Sequence, residues 1–150
     1  SYYYNGLARY FQYAAGVNAN THPSKDILVK ADSAIAKVTA LAPETTDAYL
    51  WRGRINSLLD DEENPKGLMV PHFEAFVQKV TVDKPELAAA NAKKLAEAYD
   101  QLGAFYAATD KEKAKEYFTK SIAANPAGTF APAKLKEMSA PAPKAGTKKK

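Results

Sequence analysis

The stretch that decides the fold is Tyr99-Asp100-Gln101-Leu102-Gly103-Ala104-Phe105-Tyr106, followed by Ala114, Phe118, Ser121 and Pro126. Tyr99, Leu102, Phe105 and Tyr106 fall at i, i+3, i+6 and i+7, which is one face of a helix with 3.6 residues per turn. A glycine in mid-helix costs about 1 kcal/mol against alanine, so Gly103 points to a neighbour that must approach closely. Ala114, Phe118, Ser121 and Ile122 form the facing stripe of a second helix, small residues alternating with a large one so that the two surfaces interdigitate. Asn125-Pro126 ends that helix, because proline lacks the amide hydrogen and disfavours helix in the residue before it. The spacing predicts a helical hairpin.

This segment resembles one tetratricopeptide (TPR) repeat, whose pattern reads large aromatic, x2, Leu-Gly, x2, Tyr, a turn, small, x3, Phe, x2, small, x4, Pro. The copy is one residue short in the turn between Tyr106 and Ala114 and carries Ser121 where alanine is usual. A hairpin that cannot bury its own face needs stacked neighbours, and about three copies are expected for stability. Two weaker copies lie upstream. In the first, Tyr4, Leu7, Ala8 and Phe11 match the first helix, and Ala31, Ile35, Val38 and Pro43 match the second. In the second, Tyr49, Gly53, Phe73, Val77, Val80 and Pro85 keep the frame, with Arg52 and Asn56 in place of apolar residues. The prolines stand 42 and 41 residues apart, longer than the family's period of about 34.

The excess lies in polar turns at Asn18 to Ser24 and Asp60 to Gly67, both read as exposed. The phrase from Tyr49 to Arg54, with the acidic turn and Gly67 to Phe73, is similar to a bacterial extracytoplasmic TPR variant, which implies a periplasmic or other extracytoplasmic location. The expected architecture is all-α: a right-handed α-α superhelix of about three hairpins, at residues 2–43, 45–85 and 86–126. Phe130, Leu135 and Met138 allow a short closing helix over 130–138, covering the apolar face that a terminal repeat leaves open. The repeat domain is thus read as 1–138 and the Pro/Ala/Lys-rich remainder, 139–150, as a solvated tail.

Composition agrees with one helical domain. Of 150 residues 46% are hydrophobic, without an apolar run long enough to span a membrane. The chain starts at Ser1 inside a helical pattern, so excision from a longer protein, loss of a signal peptide or further repeats before Ser1 are all expected readings. The absence of cysteine excludes disulfides, cysteine-ligated zinc and thiol catalysis. The net charge of +4 is concentrated at the end, where residues 127–150 hold six lysines against Glu137 and leave the rest near −1. A basic nucleic-acid-binding surface on the folded body is therefore not expected, and polyanion binding through the lysine tail is the alternative.

Catalytic and metal chemistry finds no pattern to rest on. His22 and His72 each stand in or beside a turn without a second histidine at i+4, and Asp60 to Glu63 lacks the alternation of a calcium loop. There is no phosphate-binding glycine loop and no nucleophile elbow. Ser57 and Ser121 read as packing residues, and Glu112 and Glu116 as part of a charged outer face. No enzymatic activity, cofactor or metal is expected.

Binding is the expectation that remains, since stacked hairpins form an extended concave surface. In the TPR family the first helix of each hairpin lines it. The resemblance then implies partner contacts at Asn5, Arg9, Gln12 and Tyr13, at Asp47, Leu50, Arg54 and Leu58, and at Glu97, Asp100 and Ala104. The other motif residues (Tyr4, Leu7, Ala8, Phe11, Tyr49, Gly53, Phe73, Tyr99, Leu102, Gly103, Tyr106, Ala114, Phe118, Pro126) are assigned to packing. The Lys and Asn set by which TPR clamps hold a chaperone's terminal carboxylate is absent. Arg9 and Arg54 remain as candidates for bidentate contact with an acidic ligand. The tyrosine-rich opening, Tyr2 to Tyr13, exceeds one buried face and offers either cover for a preceding repeat or a contact surface, including one for carbohydrate or an enzymatic substrate.

Overall fold

In the computed structural model, which describes residues 1–141, the chain is helical with no strand among the described residues. Seven helices follow one another: α1 (Tyr2–Asn18), α2 (Asp26–Leu41), α3 (Thr46–Leu59), α4 (Val70–Gln78), α5 (Ala92–Tyr106), α6 (Lys111–Ala124) and α7 (Phe130–Ser139). A π-helical turn, Lys79–Asp83, prolongs α4, and a 3₁₀ turn, Pro85–Leu87, precedes α5. The pairs α1/α2, α3/α4 and α5/α6 form the three hairpins, joined through α2/α3 and α4/α5 and closed by α7 on α6. The tail read from the sequence as 139–150 lies outside the described residues beyond Pro141.

The helical runs end alike because the same residue type follows each. Leu41, Asp83 and Ala124 each stand two residues before Pro43, Pro85 and Pro126. The residues between leave helical geometry almost identically: Ala42 at φ −140° and ψ 72°, Lys84 at −135° and 71°, Asn125 at −137° and 86°. The proline ring, clashing with the preceding residue, imposes this exit.

Within each hairpin one glycine of the first helix meets one large apolar side chain of the second. A Cβ on Gly53 would stand 2.6 Å from the Phe73 ring and one on Gly103 2.6 Å from the Phe118 ring. Gly6 does the same against Ile35, whose Cγ1 would lie 2.6 Å from that Cβ. Only a missing side chain allows helices to close to this distance over a bulky partner.

This contact corrects the sequence register of the first hairpin. Gly6, not Ala8, is the small residue at the close approach, so the frame shifts by two positions. Tyr3, Tyr10 and Tyr13 turn toward the core of Leu28, Ala31, Ile35, Ala48 and Ile55. Tyr4 and Phe11, assigned to packing, are 72% and 56% exposed. Ala8 is also exposed and Leu7 only partly covered. In the other hairpins Gly53, Phe73, Tyr99, Leu102, Gly103, Ala114 and Phe118 are buried, with Tyr49 and Tyr106 at the edges of the core.

The turns differ in what holds them. In the first, Asn20 and His22 adopt left-handed φ values of 56° and 51°, and Thr21 bonds back to the Gly16 carbonyl. In the second, Asp60 is 6% exposed rather than solvated, because its carboxylate accepts backbone N–H groups from Asp61, Lys66, Gly67 and Leu68. Burial alone would raise its pKa, but those four donors together outweigh burial and hold it below the usual carboxylate value.

Candidate functional site

The first helices α1, α3 and α5 lie side by side, and the contacts between them mark one continuous face. Trp51 of α3 pairs edge-to-face with Tyr10 and Phe11 of α1, at centroid separations of 5.0 and 5.8 Å. The Arg54 guanidinium covers the Trp51 ring at 4.5 Å and reaches across to Glu97 of α5, making two bonds of 2.7 Å. This hydrogen-bonded pairing raises the Arg54 pKa. Lys94 of α5 bonds both carboxylate oxygens of Asp47 at 3.0 and 3.1 Å.

Counting from the close-approach glycines gives the composition of this face. Two residues before, one after and five after the glycine lie on one helical stripe. They are Tyr4, Leu7 and Phe11 on α1, then Trp51, Arg54 and Leu58 on α3, then Gln101 and Ala104 on α5 with Ala108 in the turn just after it. Large apolar and aromatic groups, with Arg54 among them, therefore occupy the first two helices, and small or neutral ones the third. Leu58 is 40% exposed and Trp51 half-buried.

Several expected partner contacts are placed elsewhere. Leu50 is fully buried in the cluster with Phe73, Phe76 and Leu102, since it sits three residues before Gly53 on the packed side of α3. Asn5 and Gln12 are exposed off the stripe; Arg9 bonds Asn5 at 2.9 Å within α1, while Tyr13 packs on the first core. The two-residue register shift accounts for all four. Arg9 and Arg54 consequently do not occupy corresponding positions, and Arg54 is already engaged by an internal carboxylate. Asp47, Arg54 and Glu97 do lie on the α3/α5 side, as ion-pair partners. Asp100 bonds the Ser121 hydroxyl at 2.5 Å and ties α5 to α6; burial raises its pKa. Sequence reasoning missed Trp51, Tyr4 and Phe11 as surface groups. The phase of Gly6 with Gly53 and Gly103 was the signal that would have found them.

At the α3/α5 end of the stripe is a cavity of about 240 Å³ between the second turn and α5. Met69, Ala104 and Phe105 supply apolar wall, Ser57 and Gln101 polar wall, and Asp60, Asp61 and Glu62 the acidic rim. The Ser57 hydroxyl is buried and has no hydrogen-bond partner among the described residues. No group of three or more His, Asp or Glu residues is arranged to hold a metal ion among the described residues, and none of their helices is long and apolar enough to cross a membrane.

No protein-family model and no curated protein matches the sequence. Among solved structures, the C-terminal part of a TPR repeat-containing protein from Cytophaga hutchinsonii is similar over 89% of this chain, with a TM-score of 0.72 and 28% sequence identity. The match spans 45% of that chain. The three close-approach glycines, the pre-proline helix ends and this similarity agree on a TPR-like, all-α repeat fold.

Proposed function

We propose that the chain is a protein-interaction module that binds a peptide or protein segment on the face formed by α1, α3 and α5. One observation carries the reading: Tyr4, Phe11 and Leu58 are exposed rather than packed into a core, and they line up on the side where the first helices meet, beside the half-buried Trp51. Exposed apolar side chains gathered into a patch mark an interaction site more often than scattered ones do. Tyrosine, tryptophan and phenylalanine are enriched in such patches because they bury large areas at small entropic cost. A TPR-like fold supports protein partners in general, and the stripe supplies the place.

Panning a random peptide library on the chain tests this. The retained clones should lose at least about tenfold in affinity, or roughly 1.4 kcal/mol, for a Tyr4→Ser/Phe11→Ser/Leu58→Ser variant. They should keep full affinity for an Asn5→Ala/Arg9→Ala/Gln12→Ala variant, which alters α1 off the stripe. Equal affinity for both variants overturns the proposal, as does a failure to retain any clone. Circular dichroism confirms that both variants keep their helices.

A further inference from the structure

We infer, building on that reading, that the segment bound is an apolar-basic peptide: a large apolar residue on the Phe11, Trp51 and Leu58 stripe, and a lysine or arginine about three residues away in the acidic cavity. The stripe and the cavity are continuous. Ser57, in the cavity wall, lies six residues beyond Trp51 on α3, about 9 Å along the helix. An extended chain advances about 3.3 Å per residue, so about three residues bridge the two.

Charge decides the second half of the segment. The only cation on the stripe, Arg54, is neutralised by Glu97, so the stripe itself has no net call for an anion. In the cavity the charges are Asp60, Asp61 and Glu62, with no basic residue in the lining. Asp60 is saturated by four backbone donors. Asp61 accepts only the Glu63 and Asn64 amides, through one oxygen, and Glu62 has no partner among the described residues. A cationic head entering here meets two exposed carboxylates. Its alkyl stem lies along Met69, Ala104 and Phe105, the mixed environment that long basic side chains suit. An acidic ligand residue would be repelled at the same place, which gives the site its selectivity.

Four labelled synthetic peptides in a common Gly/Ser frame test the inference by fluorescence anisotropy. They carry Phe or Ser at one position and Lys or Glu three residues on. The Phe/Lys peptide should bind about tenfold more tightly than the Phe/Glu and Ser/Lys peptides. Asp61→Asn/Glu62→Gln should reduce it to the level of Phe/Glu, and added salt should narrow the same gap. Equal binding of Phe/Lys and Phe/Glu, or a preference that survives the double substitution, overturns the inference. If that equal binding still disappears in the Tyr4→Ser/Phe11→Ser/Leu58→Ser variant, the α1/α3/α5 face stands while the basic residue falls. Should none of the four bind while library clones remain stripe-dependent, this inference alone fails; should neither set depend on the stripe, both readings fail.

Discussion

The two joints between hairpins place opposite chemistry at one repeat position, the residue before the close-approach glycine. At the second joint, Leu102, immediately before the close-approach glycine of α5, enters the apolar cluster of Phe73, Phe76 and Val80. At the first joint the equivalent residue of α3 is Arg52, which makes two bonds of 2.9 Å to Asp32 of α2. Asn56 donates to the same Asp32 at 2.9 Å and to the Arg52 carbonyl. A repeat position that elsewhere takes leucine thus accepts arginine, provided the preceding helix supplies the carboxylate and every donor finds an acceptor. The apolar joint tolerates any filling of the right volume. The polar joint accepts one partner arrangement, and that restricts which hairpins can be neighbours.

The largest effect should come from the apolar joint. Leu102→Ala removes a fully buried side chain and leaves a cavity, with an expected loss of about 3 kcal/mol in urea unfolding. A loss well under 1 kcal/mol would mean that the second joint contributes little to cohesion. Asp60 ranks next, because the turn it organises delivers Met69 and α4 to that same joint. Asp60→Ala strands four backbone donors and should cost about 2 kcal/mol. The wild type should show the linkage directly. A carboxylate whose folded pKa lies below its unfolded value stabilises fully above about pH 4, and that stabilisation is lost as pH falls through the folded value. Unfolding free energy should therefore drop as pH falls below about 4, and Asp60→Asn should flatten this part of the profile.

The polar joint should respond less and in a different pattern. Arg52 and Asp32 retain side-chain exposures of 22% and 19%, so solvent screens the pair and Asp32→Ala should cost about 1.5 kcal/mol rather than the full penalty of an isolated buried charge. The Asp32→Leu/Arg52→Met double variant should recover most of that loss, since two apolar groups of similar size need no partner. Recovery in the double but not the single variant is the signature of a joint held for specificity. If the double variant remained as unstable as the single one, the ion pair would be an energetic support comparable to Leu102.

The same contrast explains what could be read in the sequence. The third hairpin was legible because Gly103, Phe118 and Pro126 mark the close approach, its partner and the helix end within one short segment. In α1 the tyrosines defeat periodicity: Tyr3, Tyr10 and Tyr13 make one apolar stripe and Tyr4, Leu7 and Phe11 another, one residue apart. Hydrophobic spacing cannot choose between them, whereas steric closure at Gly6 can. Arg52 showed only as a polar residue in an apolar repeat position, and Arg54 as a solvated or ligand-binding group, because their partners, Asp32 and Glu97, lie 20 and 43 residues away in sequence. Asp60 was hidden for the opposite reason. Its partners are backbone amides of its own turn, which leave no residue-type signature.

The smallest expected effect separates resemblance from function at the joints. Asn5 and Arg9 of α1 stand one residue before and three after Gly6, the offsets that Arg52 and Asn56 occupy around Gly53. The chemistry is again polar, but here Arg9 bonds Asn5 at 2.9 Å on an exposed surface, and no carboxylate of the described residues pairs with it. An exposed bond within one helix contributes a few tenths of a kcal/mol at most. Asn5→Ala/Arg9→Ala should therefore change the unfolding free energy of the chain by no more than about 0.5 kcal/mol. Arg52→Ala/Asn56→Ala, the matched substitution at the first joint, should cost several times as much, because it leaves Asp32 without any of its three donors. Equal costs at the two places would mean that Asp32 contributes nothing to the joint, and the polar-versus-apolar contrast would reduce to a difference in side-chain volume.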